Sequence, residues 1–426
     1  MASEPTALPL EESLKTPWAT LGALVVCYAF NTADRQLLAI LQEPMARELH
    51  LSDTALGSLG VFFAIAYGLA SFPLAAWSDR GWARRVIAAT LAAWSLMTMA
   101  CGAATSLLTL GVGRAGVALG EAGSAPAAQS LIARRFPARL KATAMGILLV
   151  GAIIGTALSA GIGGWIAHGY GWRAAFFAFG AAGILVTPFV WFFLGAQVEA
   201  PVLSKAAQRG ELVRVARSYW AQKSLRFLCI AGAAMSIGSA GISHWMGTLL
   251  IRQHGLSVAH AGASLFAATL VGGAGGAIVS GVVADSWGKQ DGRAYAGVPA
   301  FSLLLGVGAM LVLAMTPNAT VTVIAYGSVV FVANGMLAPM YTLVQKLAPE
   351  DGRATAAAFM LLLMNLVGTA LGPFLFGVVS DLAKRPGGTG SLKAAILLGA
   401  TAFLIGALAA FRVVFSVRSD LAAHEA

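Results

Sequence analysis

Four ionisable residues lie deep inside long apolar stretches of this chain: Asp34, Arg35, Arg114 and Glu121. A charge at mid-membrane costs roughly 2.5 to 3.5 kcal/mol on insertion scales, so such residues pair, face a watery cavity or do chemistry. Arg114 and Glu121 are seven residues apart, about 700 degrees of helical turn and about 10.5 Å of rise, so they share a face without touching. Arg114 must find its partner elsewhere, and Asp34 is the other intramembrane carboxylate. The expected arrangement is an Asp34–Arg114 ion pair or a close water-linked relation, with Glu121 further along the same cavity; a purely structural pair holding two spans together is the alternative. A guanidinium that moves can switch a neighbouring acid between proton-loaded and empty. Asp34 is therefore the first choice for a coupling proton site and Glu121 the second. Arg114 would tune both and attract a phosphate or carboxylate, while Arg35 either joins them or pairs locally.

The second half of the chain has almost no ionisable residue inside its apolar stretches. His244, Asn334 and Tyr341, with Gln345 and Asn365, are its main polar candidates. Taken with Asn31, Arg35, Arg114 and Glu121, the first three complete a set of expected substrate contacts. A charged first half facing an apolar second half would suit an amphipathic solute, with the head on one wall and the tail on the other.

These residues need elements to carry them. Of 426 residues, 58% are apolar and only 11% charged, with a mean hydropathy of +0.78. A water-soluble domain carries about 25% charged residues, so the surplus apolar surface must face lipid. At about 20 apolar residues per span, the chain holds roughly twelve spans. They begin near Trp18, Ala55, Val86, Leu107, Ala142 and Ala174, then near Leu225, Ala261, Ala294, Val321, Ala354 and Leu392. The polar gap between the two sets of six reads as a linker with an amphipathic surface helix in its second half.

The expected fold is thus an all-α polytopic membrane protein of 12 transmembrane helices in two pseudo-symmetric six-helix bundles. Residues 1–16 form a terminal segment, 17–195 the first bundle, 196–223 the linker, 224–416 the second bundle and 417–426 a tail. An internal echo supports duplication: Lys141-Ala-Thr-Ala144 leading to Gly155-Thr-Ala-Leu158 returns as Arg353-Ala-Thr-Ala356 leading to Gly368-Thr-Ala-Leu371. Such parallel repeats are what two bundles related by an axis along the membrane normal leave behind.

With both termini on one side, that side takes about 20 of the 28 Lys and Arg, which the positive-inside rule makes cytoplasmic. The basic excess thereby explains orientation, and no nucleic acid partner is needed. Cys27, Cys101 and Cys229 read as small packing residues, without the clustering a disulfide framework or metal site requires. No nucleophile elbow, His-Glu-x-x-His run or phosphate-binding loop is present, so the chain is expected to be neither an enzyme nor an ATP-driven pump, and to need no cofactor. A channel is the rival class, but one asymmetric charge cluster favours a gated carrier.

Asp79-Arg80-Gly-Trp-Ala-Arg84-Arg85, with Gly281 to Asp285 in the second half, resembles the loop signature of the major facilitator superfamily. That resemblance implies a cytoplasmic gate in which Asp79 and Asp285 meet helix N-termini and Arg80, Arg84 and Arg85 latch the side shut. Ala75 stands where the family prefers Gly, and Ser286 replaces the usual Arg of the second copy. A finer resemblance is to bacterial spinster-like transporters. It is carried by Asn31-Thr-Ala-Asp34-Arg35-Gln-Leu-Leu-Ala-Ile40, Arg114-Ala-Gly-Val-Ala-Leu-Gly-Glu121-Ala-Gly123, Gly171-Trp-Arg-Ala-Ala-Phe176 and Leu250-Ile-Arg-Gln-His-Gly-Leu-Ser257. It implies alternating-access movement of a lysophospholipid or sphingoid phosphate, linked to protons, by a monomer in a bacterial inner membrane. Organic-anion symporters of the same superfamily share the Asp-Arg of span one and the Gly-Glu-Ala of span four, so a sugar acid or aromatic acid is the alternative substrate.

Overall fold

Where the sequence interrupts an apolar run with a capping residue, a proline or a glycine, the chain turns. The computed structural model of the protein describes residues 10–195, 222–288, 293–348, 353–384 and 391–425, and contains no strand among them. In chain order the α-helices are α1 (Leu10–Leu49), α2 (Asp53–Trp77), α3 (Ala83–Gly102), α4 (Leu107–Glu121), α5 (Ser124–Arg135), α6 (Ala138–Leu158) and α7 (Gly164–Phe193). After the linker come α8 (Lys223–His254), α9 (Val258–Gly288), α10 (Ala294–Met315), α11 (Ala319–Gly335), α12 (Leu337–Leu347), α13 (Arg353–Leu382) and α14 (Leu392–Glu425). Two short π-helical turns, Ser78–Trp82 and Ser159–Gly163, join α2 to α3 and α6 to α7. The expected linker helix falls outside the described residues.

The helix ends follow from the local sequence. Ser106 opens α4 with a capping box: its hydroxyl accepts from the Thr109 amide at 3.3 Å, and the Thr109 hydroxyl accepts from the Ser106 amide at 3.0 Å. Asn318 caps α11 by accepting from the amides of Thr320 and Val321. Pro137 holds the residue before it extended, Phe136 at φ −102°, ψ 137°, and so separates α5 from α6. Gly171, at φ 83° and ψ 163°, breaks α7 in a conformation that a side chain would strain.

Ten stretches are long and apolar enough to cross a membrane. One of them, Thr143–Phe193, runs for 51 residues and breaks at Gly171, which gives it the length of two crossings. The α4–α5 segment is outside the ten because it is interrupted at Ala122–Gly123, which leaves helices of 15 and 12 residues. These features are consistent with twelve crossings.

The chain divides into two compact units. Unit 1 comprises residues 1–38 and 65–202; unit 2 comprises 39–64 and 203–426. Residues 39–64, which the sequence division assigns to the first bundle, thus cluster with the second half. Within unit 1, α3 packs along α4 and α7. Gly155 brings α6 against the backbone of α1, where a Cβ would run into the Ala29 carbonyl and the Ala33 amide. That contact fixes the turn of α1 bearing Asn31, Asp34 and Arg35. Within unit 2, α8 packs against α13 and α14, α10 against α14, and α9 against α11. The buried Trp245 ring is anchored there by its Nε1 donating to the Pro373 carbonyl at 2.9 Å.

Candidate functional site

α1 carries Asp34 and Arg35, α4 carries Arg114 and Glu121, and three of the four are buried. Asp34 is 2% exposed, Arg114 4% and Glu121 0%, so none is solvated at the lipid-facing surface. Asp34 and Arg35 are neighbours on α1, about 100 degrees apart around the helix, and therefore aim in different directions. Arg35 turns to α4, where its Nε donates to Glu121 Oε2 at 2.6 Å. Its guanidinium also lies over the Tyr67 ring of α2, 5.1 Å from the centroid. The Arg35 side chain is 38% exposed against 0% for Glu121, so the pair has a dry end and an end open to solvent.

Asp34 points toward α3, with the Thr98 hydroxyl against its carboxylate. Arg114 reaches it through the backbone: Nη1 donates to the Asp34 carbonyl at 3.5 Å. Within this cluster the described ion pair is Arg35–Glu121, and Arg114 meets the carbonyl oxygen of Asp34. The cause is the position of Arg35, one residue beyond Asp34, which takes the turn of α4 that carries Glu121. Asn31, one helical turn earlier, donates to the Ser124 hydroxyl at 3.3 Å, and Ser124 donates to the Glu121 carbonyl at 2.9 Å. Two buried oxygens, Asp34 Oδ1 and Glu121 Oε1, accept no hydrogen bond from any described residue. An unsatisfied buried carboxylate oxygen is costly to keep.

Unit 2 holds the other expected contacts. The His244 ring packs edge-on against Trp245 at 5.9 Å, and its backbone carbonyl accepts from Gln42 Nε2 at 3.1 Å. Asn334 donates to Val330 within α11 at 2.9 Å. The Tyr341 hydroxyl is buried without a hydrogen-bond partner among the described residues. Of the gate residues, Arg80 and Arg85 are exposed, while Arg84 donates through Nε to the Trp191 carbonyl at 3.1 Å. The side chains of Asp79 and Asp285 lie outside the described set.

A second charged network, in unit 2, escaped the sequence reading. Arg252, near the end of α8, donates to both oxygens of Asp53 at 2.8 and 2.9 Å and through Nε to Glu43 at 2.5 Å. Ser380 donates to Asp53 at 2.6 Å, and Arg47 to Glu43 at 2.8 Å. The Asp381 carboxylate accepts from the amides of Asp53 and Thr54, capping the first turn of α2. One signal was present: Arg252 lies in the Leu250–Ser257 stretch. Composition gave no means of pairing residues so far apart in the chain. Tyr67, Thr98 and Ser124 were missed for the same reason.

A helical membrane chain with a buried acid-and-guanidinium cluster in one half defines a solute carrier, and comparison with known proteins places it. The model of the Major Facilitator Superfamily matches residues 24–373, and the chain belongs to that family of transporters, which are not enzymes. Among curated relatives, an MFS-type efflux pump of Mycolicibacterium smegmatis is 30% identical over 95% of this chain and 94% of its own. A hexuronate transporter of Bacillus subtilis is 25% identical over 95% and 96%. Among solved structures, a bacterial homologue of the human lysosomal transporter spinster, inward-facing and unoccupied, superposes with a TM-score of 0.84. It is 25% identical, covering 95% of this chain and 98% of that one.

Proposed function

We propose that this protein is a proton-coupled carrier of an amphipathic organic anion of lysophospholipid or sphingoid-phosphate type, working by alternating access. The observation that carries the reading is the Arg35–Glu121 pair: 2.6 Å long, dry at the acid and open at the guanidinium, with Glu121 Oε1 and Asp34 Oδ1 both unsatisfied. An arriving phosphate or carboxylate offers Arg35 a bidentate partner in competition with the acceptor it has in Glu121. As Arg35 swings to the solute, Glu121 is left in a dry site without its cation and takes a proton. Asp34, whose carbonyl accepts from Arg114 and whose Oδ1 is unsatisfied among the described residues, is the second proton seat, and Arg114 supplies the remaining positive charge. His244, Asn334 and Tyr341 are the contacts proposed for the apolar portion of the solute. Asp79, Arg80, Arg84, Arg85 and Asp285 are proposed for the cytoplasmic gate. Both termini are placed in the cytoplasm, on the side that collects the basic residues, and the membrane is a bacterial inner membrane.

The likeness to an efflux pump and to a spinster homologue supports a solute with an apolar part. The likeness to a hexuronate transporter supports a second reading, a hydrophilic sugar acid taken at the same guanidinium. Competition separates the two. With purified protein in liposomes, a lysophosphatidate should displace a bound fluorescent lysolipid at concentrations at least about ten-fold below those of a hexuronate, a difference of about 1.4 kcal/mol. The reverse order would transfer the protein to the sugar acids, and R35Q should weaken whichever ligand wins.

A further inference from the structure

Where α2 turns into α3 in unit 1, three arginines lie with Trp82 and Trp191, outside the solute site. Gly81, at φ 91°, breaks the helix inside the π-turn and turns Trp82 outward between Arg80 and the pair Arg84 and Arg85. Trp77, Trp82 and Trp191 are 52%, 49% and 40% exposed, a degree that suits indoles at headgroup depth. The Arg84 guanidinium is stacked 4.0 Å from the Trp191 ring centre while its Nε donates to the Trp191 carbonyl. That grip sets the plane of the fork, and its two Nη groups make no hydrogen bond to a described residue. Arg85 lies over Trp82 at 4.9 Å, and neither it nor Arg80 meets a carboxylate among the described residues. Arg135, bonded to Thr20, sits close enough to Arg84 for their charges to repel. Arg84 is therefore fixed by its own unit, with its two outer nitrogens unbonded to any described residue.

We propose that Arg80, Arg84 and Arg85, framed by Trp82 and Trp191, form a seat for the phosphate of an anionic phospholipid. A planar, pre-set guanidinium fork matches two phosphate oxygens, the flanking arginines add field, and the indoles lie against the glycerol and upper acyl region. The proposal is independent of which solute the carrier moves.

The test is a thermal melt of the purified full chain in a neutral detergent. Dioleoyl phosphatidylglycerol, phosphatidylcholine of the same chains, or inorganic phosphate is titrated in. Phosphatidylglycerol should raise the wild-type midpoint saturably, and neither phosphatidylcholine nor inorganic phosphate should reproduce the rise. R80Q/R84Q/R85Q should weaken the apparent phosphatidylglycerol affinity by about ten-fold or more. If the triple variant does not fold, R80Q/R85Q, which leaves the Arg84–Trp191 contact intact, should weaken it about three-fold or more. Unchanged affinity in the variant that folds, an equal rise with phosphatidylcholine, or the full rise with inorganic phosphate would each overturn the proposal. Loss of a latch alone would leave the lipid affinity unchanged, so it counts among the overturning results.

Discussion

Replacing Arg252 by Gln should expose the cost of the charged network in unit 2. The Arg252 side chain is 12% exposed, and its partners Glu43 and Asp53 are 4% and 3% exposed. Its three short bonds are the means by which two buried carboxylates are tolerated. Removing one member of a buried pair costs about 3–5 kcal/mol, because the charge left behind is uncompensated. Here the loss is softened on one side, since Glu43 keeps its 2.8 Å bond to Arg47, an arginine 67% exposed and therefore weakly held. The larger share of the penalty falls on Asp53, which among the described residues retains the 2.6 Å bond from Ser380. The order of melting midpoints in detergent should thus be wild type above D53N/R252Q, and D53N/R252Q above R252Q, with the second substitution recovering about 1–3 kcal/mol of what the first lost. The double-mutant cycle is read by thermal melts of all four proteins under one set of conditions. An R252Q protein as stable as wild type, or a double variant less stable than R252Q, would refute the reasoning.

D381N should loosen the first turn of α2, because a neutral amide oxygen is a weaker acceptor for the Asp53 and Thr54 amides. A loss of about 0.5–2 kcal/mol is expected, visible as faster amide exchange at those residues. W245F removes the indole hydrogen bond to the Pro373 carbonyl and shrinks a fully buried ring, at a cost of about 0.5–1.5 kcal/mol for the bond in melts. G155V should be among the most damaging single changes in unit 1, since its side chain must push α6 away from the Ala29 carbonyl. The expected result is loss of solute binding along with lowered stability, and binding unchanged from wild type would contradict the placement of α1 against α6.

The fold was largely legible because lipid imposes a coarse rule: about 20 apolar residues per crossing, repeated through the chain, leave few architectures open. What the rule does not carry is the finish of each helix. The apolar count has no term for the interruption at Ala122–Gly123 or for the turn at Gly171, so span four appears as two helices and spans five and six as one long stretch. The site was legible as a set of residues, because Asp34, Arg35, Arg114 and Glu121 stand out against an apolar background. Their partners were less legible, since which side of α1 faces α4 depends on the approach allowed by Gly155. Hence the guanidinium on Glu121 is Arg35, and Arg114 meets a carbonyl. The Arg252 network joins residues from three distant segments, so no spacing in the sequence points to it.

Coupling is the central claim, and it is tested most directly in proteoliposomes by comparing two modes of the D34N and E121Q variants. Counterflow exchanges loaded carrier for loaded carrier with no net proton movement, whereas accumulation driven by an imposed pH gradient needs the proton to be bound and released. The account predicts that each variant retains counterflow of the lysolipid and that at least one loses gradient-driven accumulation. Full proton-driven accumulation in both variants would contradict it.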